Sequence, residues 1–110
     1  MIVAMDDHAH GRWTIDGHAG AGAYGQDIVC AGASAIVETA ICLVRGIPDV
    51  DVRREAGHVE ICARTRRARR RARSAFAGLD AGFRLLEEAY PQIVRVDRAK
   101  SDLHDRCGIV

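Results

Sequence analysis

The stretch Gly17-His18-Ala19-Gly20-Ala21-Gly22-Ala23-Tyr24-Gly25-Gln26 runs directly into Asp27-Ile28-Val29-Cys30-Ala31-Gly32-Ala33-Ser34. Four glycines and three alanines in the ten residues Gly17–Gln26 leave too few side chains to pack a regular element, so this segment reads as a loop. Asp27 is a good N-cap, because its short carboxylate accepts from backbone N–H groups that a helix start leaves unpaired. From Ile28 to Arg45 the apolar residues cover nearly the whole circumference, which predicts a helix buried on several sides. Gly46 suits its C-terminal cap and Pro48 prevents continuation.

Working outward, Met1–Asp6 and Arg12–Asp16 read as short strands on either side of a turn at His8-Ala9-His10-Gly11. Beyond the helix, Asp49–Arg54 and His58–Ala63 alternate apolar and charged residues and are joined by Glu55-Ala56-Gly57, an antiparallel hairpin. A second helix is expected from about Thr65 to Tyr90, with Ala68, Ala72, Phe76, Leu79, Phe83 and Leu86 on one stripe. Pro91 ends it, and Ile93–Val96 reads as a last strand. The order ββαββαβ, with hairpins, predicts an α+β sandwich: a mostly antiparallel sheet with two helices packed on it. We expect one domain over residues 1–98 and a polar tail over 99–110.

At 110 residues, one core between a sheet and helices is what the chain can bury. Hydrophobic content of 48% and charged content of 28% are ordinary for a globular protein, and the net charge of +1 is no nucleic-acid signature overall. The N-terminal stretch lacks the pattern of a secretory signal, and Ile28–Val44 is too short and too polar to span a bilayer, so a cytoplasmic location with no membrane contact is expected. The four cysteines show no C-x-x-C spacing, which speaks against a disulfide framework and a zinc ribbon. Cys42 and Cys62 fall on apolar stretches and are expected in the core; Cys107 lies in the tail. His8, His10, His104 and Cys107 sit at turns and chain ends rather than on fixed elements, so no metal site is expected.

Cys30 is expected in the first turn of the buried helix, where unpaired N–H groups and the positive dipole end favour a thiolate. His18 opens the loop that leads there, and the loop can fold it back onto the sulfur to form a thiolate–imidazolium pair. Ser34, four residues on, shares the helix face of Cys30 and could contact the sulfur or a substrate. These residues fit a nucleophile and base equally with a buried small cysteine and a structural histidine, and spacing alone leaves both open. A rival reading takes Gly20-Ala21-Gly22-Ala23-Tyr24-Gly25 as a G-x-G-x-x-G nucleotide turn with Glu55 as the ribose acid. Against it, the helix starts after the glycines rather than among them, and there is only one such β–loop–α unit. A loop that opens for a peptide and closes on Cys30 explains Gly20, Gly22, Tyr24 and Gly25 better.

The segment resembles the signature of the bacterial ribosomal-processing cysteine proteases, the Prp family. The resemblance rests on Gly17-His18-Ala19, Gly25 and Asp27–Ser34, with Gly57-His58 and the helix end Glu87-Glu88-Ala89-Tyr90-Pro91 downstream. It runs from about Met1 to Arg98. It implies Cys30 as nucleophile, His18 as general base, a substrate cleft shaped by the glycine loop, homodimerisation and no cofactor. The implied substrate is the N-terminal extension of a large-subunit ribosomal protein, number twenty-seven of the bacterial set, removed after an aromatic residue. Asp27 matches the family's acid and is taken as an N-cap ahead of a role in orienting His18. Backbone N–H groups around Ala31 and Gly32 are the expected oxyanion donors.

The resemblance does not supply the block Arg64–Arg73, seven arginines in ten residues. It reads as the solvated face of the second helix, or as a patch that binds ribosomal RNA or an acidic partner. If that patch were the whole function, the chain would be a binding module rather than an enzyme.

Overall fold

The computed structural model describes residues 1–17 and 26–98. The chain forms strands β1 (Ile2–Asp7) and β2 (Arg12–Gly17), helix α1 (Gln26–Val44), strands β3 (Val50–Glu55) and β4 (His58–Ala63), helices α2 (Arg66–Arg71) and α3 (Arg73–Ala89), and strand β5 (Val94–Arg98). Five strands make one sheet in the order β3-β4-β2-β1-β5. All neighbours pair antiparallel except β1 with β5, whose registers Ile2↔Val94 and Ala4↔Val96 run parallel. The expected α+β class and order hold, with α2 as an added short helix.

Alternation along the strands decides which face meets the helices. Ile2, Ala4, Trp13, Ile15, Ile61 and Val94 are buried on one face and join a single core with the inner residues of α1 and α3. In α1 that inner stripe is Val29, Ala33, Val37, Ala40, Ile41 and Val44, and in α3 it is Ala75, Phe76, Leu79 and Phe83. Spacings of three and four residues make each stripe continuous on its helix. Among the described residues the opposite face of the sheet carries no helix, giving two layers. Trp13 and Phe83, both nearly inaccessible, stack tilted with ring centroids 6.3 Å apart across the layers.

Several boundaries differ from the expectations. Helix α1 starts at Gln26, so Asp27 stands inside its first turn and is not the N-cap. Nor is α1 buried all round: Ile28 and Leu43 are 64% and 55% exposed, and Cys42, expected in the core, is exposed beside them. Cys62 lies in the sheet on the side away from the helices and is disulfide-bonded, not a plain core thiol. The helix expected over 65–90 is two. Thr65 caps α2, its hydroxyl accepting from the Ala68 N–H at 3.0 Å, and the chain turns at Ala72 before α3 resumes. Nothing in the apolar stripe marks that break, since Ala68, Ala72 and Phe76 keep the helical interval across it.

On the open sheet face Asp7 is 2% exposed and accepts from His10 Nδ1 at 2.8 Å, with Arg12 Nη2 3.3 Å from its other oxygen. No helix among the described residues is long and apolar enough to cross a membrane. The tail expected over 99–110 lies outside the described residues.

Candidate active site

Cys30 projects, half-buried, from the core side of α1 toward the end of the sheet where β1 begins and β2 ends. There a cavity of about 230 Å³ opens between α1 and the β3–β4 hairpin. Its walls bring together Cys30 and Ser34 from α1, Gly17 from β2, and Glu55 and Gly57 from the hairpin. Cys30 and Ser34 meet there because four residues make just over one helical turn. Ile2, Ile15 and Val59 supply an apolar floor. At the outer rim Glu38 of α1 and Arg54 of β3 form a two-pronged ion pair, one arm 2.8 Å from Nη2 to Oε2. The hydrogen bond from Arg54 holds the Glu38 carboxyl below its usual range and raises the guanidinium in turn. The pair fastens the hairpin to α1 across the cavity.

Gly17 closes the other side. Its φ of 97° is open only to glycine at low cost, and a Cβ there would stand 2.1 Å from the Met1 carbonyl oxygen. The Gly17 N–H donates to the Gly57 carbonyl at 2.8 Å, tying the end of β2 to the hairpin turn. The turn, the strand end and α1 therefore converge on one place.

Two imidazoles have described side chains, and neither reaches Cys30. His58 borders the cavity, but strand alternation turns its ring to the helix-free face, where Nδ1 is hydrogen-bonded to Asp16. His10 is buried against Asp7 near the far end of β1. His18, the expected base, and the loop residues Gly20, Gly22, Tyr24 and Gly25 lie outside the described residues.

The helix start bears on the backbone groups of Ala31 and Gly32, the expected oxyanion donors. With α1 starting at Gln26, the N–H groups of Ala31 and Gly32 fall in the regular i→i−4 ladder, toward the carbonyls of Asp27 and Ile28. Ala31 is exposed, and Gly32 faces α3, where a Cβ would meet Leu86 Cδ2 at 3.4 Å. The helical N–H groups without such acceptors are those of Gln26, Asp27 and Ile28, one turn before Cys30. Cys30 itself is the fifth helical residue, not in the first turn.

The nucleotide-turn reading fails on topology. β2 and β3, which flank the glycine segment and α1, are not neighbours, because β4 runs antiparallel between them. A dinucleotide turn needs adjacent parallel strands around its helix. Glu55, the supposed ribose acid, lies exposed at the end of edge strand β3. Among the described residues no three His, Cys, Asp or Glu side chains gather as a metal would need.

Comparison with known proteins bears on this geometry. A family model described as cysteine protease Prp matches residues 1–95. Over 51 residues the chain is 43% identical to the ribosomal processing cysteine protease Prp of Staphylococcus aureus strain Mu50, a match covering 43% of this chain. The match spans only 48% of that relative's length. Two crystal structures of an essential ribosomal processing protease Prp from S. aureus share the fold. One, in complex with a substrate peptide, is 24% identical with a TM-score of 0.71, covering 89% of this chain and 97% of that one. The other, with a covalently linked product peptide, is 27% identical with a TM-score of 0.63, covering 90% and 100%.

Proposed function

Since this chain belongs to the cysteine protease Prp family, we propose that it is a peptidase with Cys30 as nucleophile and His18 as general base. The observation that carries the reading is the cavity in which α1 presents Cys30 opposite Gly17, the residue bonded to His18. The imidazoles of His10 and His58 are engaged elsewhere, so neither of these two is the base. The S. aureus relative holding a covalently linked product peptide fits a thiol that forms an acyl-enzyme.

In the proposed reaction His18 takes the Cys30 proton and Sγ adds to the scissile carbonyl carbon. The oxyanion is met by the free N–H groups at the start of α1, over residues 26–28. As the C–N bond breaks, His18 gives its proton to the leaving amine. Water then adds to the thioester, releasing the new carboxylate and restoring the thiol. Ser34, on the same cavity wall, touches the sulfur or the bound peptide. The segment with Gly20, Gly22, Tyr24 and Gly25 covers the peptide.

The substrate is the N-terminal extension of the large-subunit ribosomal protein numbered twenty-seven, cut after an aromatic residue in the cytoplasm, with residues 1–98 as the peptidase domain and 99–110 as a tail. The exposed apolar side of α1, with Ile28 and Leu43, is the surface on which a homodimer would close. Incubation of a peptide spanning the extension with wild type, Cys30→Ala and His18→Ala tests this. Cleavage after the aromatic residue by wild type alone supports the dyad. An intact peptide in the presence of wild type sinks the substrate, and cleavage surviving Cys30→Ala sinks the nucleophile.

A further inference from the structure

A second cavity among the described residues is larger than the one that holds Cys30. It has a volume of about 550 Å³ and lies at the other end of β1 and β2, where Asp6, Trp13 and Arg98 meet the start of α3. From Ile2, on the Cys30 cavity, to Asp6, on this one, is four strand residues, or about 13 Å. Its rim carries Arg66, Arg69, Arg70 and Arg73 from α2 and α3, with Arg98 from β5.

Five arginines elsewhere in the described residues have carboxylate partners: Arg12 with Asp7, Arg54 with Glu38, Arg64 with Asp51, Arg84 with Asp80, Arg95 with Asp97. The six at 66, 67, 69, 70, 71 and 73 have no such ion pair among the described residues. They are crowded along α2 and the first residue of α3, where they repel one another, and at Arg66, Arg67 and Arg73 the helix dipole opposes them as well. The two acids in the cavity are already committed, Asp80 to Arg84 at 3.0 Å and Asp6 to Arg98 at 3.9 Å. Arg69 Nε is buried with no hydrogen-bond partner, though its Nη1 lies 3.5 Å from the Ala9 carbonyl. A fold that leaves this much like charge without internal compensation is matched to an external anion.

We propose that this arginine-lined cleft binds single-stranded RNA through its phosphate backbone, at a site separate from Cys30. Guanidinium forks suit phosphate and carboxylate alike, so the choice rests on two other features. The charge is not confined to the cavity: Arg67 and Arg71 extend it round α2 to a second groove beside Pro48 and Asp49. A row of that kind follows a strand rather than enclosing a compact ligand. The apolar floor is also closed, with Trp13 1% and Phe76 7% exposed. A protein partner would need an open pocket for an apolar anchor, whereas a phosphate backbone needs only the cations.

The test is fluorescence anisotropy of a labelled single-stranded RNA of mixed sequence, titrated with the full chain over a series of salt concentrations. The comparison is with Arg66→Gln/Arg70→Gln/Arg73→Gln. These side chains are exposed at the rim, and thermal melts check that the fold survives. Arg45→Gln/Arg53→Gln, exposed and away from the cleft, controls for net charge. Each phosphate contact adds about 0.7 to the slope of log K against log salt, so the triple variant should lose about 2 from that slope. Equal slopes in wild type and triple variant overturn the proposal, as does an equal loss in the control. Poly-glutamate bound as tightly through the same arginines replaces RNA with an acidic partner and overturns it too. Peptide cleavage by the triple variant is read separately, so failure of the RNA site leaves the peptidase reading untouched.

Discussion

Gly17→Ala tests the junction between the sheet and His18, the proposed base, and Gly46→Ala is its matched control. Both glycines have positive φ, 97° and 85°, so both substitutions incur the left-handed penalty of roughly 1–2 kcal/mol. They differ in what a new Cβ meets. At Gly46 there is nothing within 4 Å, whereas at Gly17 the Met1 carbonyl oxygen stands at 2.1 Å. That contact is with backbone and cannot be relieved by a rotamer. Either Met1 or the end of β2 must move by about an ångström. Such a shift disrupts the Gly17–Ile2 pairing and the 2.8 Å bond to Gly57, at about 1 kcal/mol for each hydrogen bond lost. The expected total is about 3–5 kcal/mol for Gly17→Ala against about 1–2 for Gly46→Ala. At about 4–8 °C per kcal/mol the melting temperature falls by about 12–40 °C in the first and about 4–16 °C in the second. Thermal melts followed by circular dichroism measure both. Peptide cleavage, assayed below both transitions, should fall only in Gly17→Ala, because Gly17 carries His18. Equal melting temperatures in the two variants would refute the steric reasoning, and full activity in a destabilised Gly17→Ala would refute the link to His18.

Three further outcomes follow from contacts already described. Gly82→Ala places a Cβ 2.9 Å from Ile36 Cδ1 and Cγ2 between α3 and α1, so overpacking of about 1–3 kcal/mol should outweigh the helix-propensity gain of about 1. Ile36→Ala in the same chain should recover most of that loss in urea denaturation. His10→Ala removes the 2.8 Å partner of Asp7 and leaves a carboxylate 2% exposed with Arg12 as its remaining described neighbour, at a cost of about 3 kcal/mol in the same assay. Glu38, held below 4.5 by Arg54, adds stability that is complete above 4.5 and lost as the pH falls through its lowered value, because the unfolded chain takes up that proton first. Wild type should therefore melt above Glu38→Gln at neutral pH, with the gap closing below pH 4.5 and shrinking in high salt.

Local chemistry made much of this fold readable. Strand β4 falls on its expected span, His58–Ala63, because alternation there coincides with a two-residue turn at Ala56-Gly57. α1 stops at Gly46 and Pro48 as those residues demand. What could not be read was set by partners distant in sequence. Exposure of Cys42 and Leu43 follows from which side of α1 meets the sheet, and an all-round apolar helix gives no preference. The parallel pairing of β1 with β5 joins residues near 2 to residues near 94, and no local pattern carries it. At the site, the helix that carries Cys30 was legible from its loop-then-helix setting, but its first residue was not. The shift of its start to Gln26 moves the unpaired N–H groups away from Ala31 and Gly32.

That parallel pairing also governs when the molecule can fold. β1 sits between β2, its neighbour in sequence, and β5, which is about as far along the chain as a strand can be. Closing such a long loop carries an entropic cost before any contact rewards it, which slows folding relative to a fold of local hairpins. During synthesis the hairpin β1–β2 emerges early with the edge of β1 bare, and Ile2 and Ala4 keep an incomplete cover until Val94 arrives. The nascent chain thus carries an open, apolar strand edge until β5 has been made, and β5 is the strand that seals it.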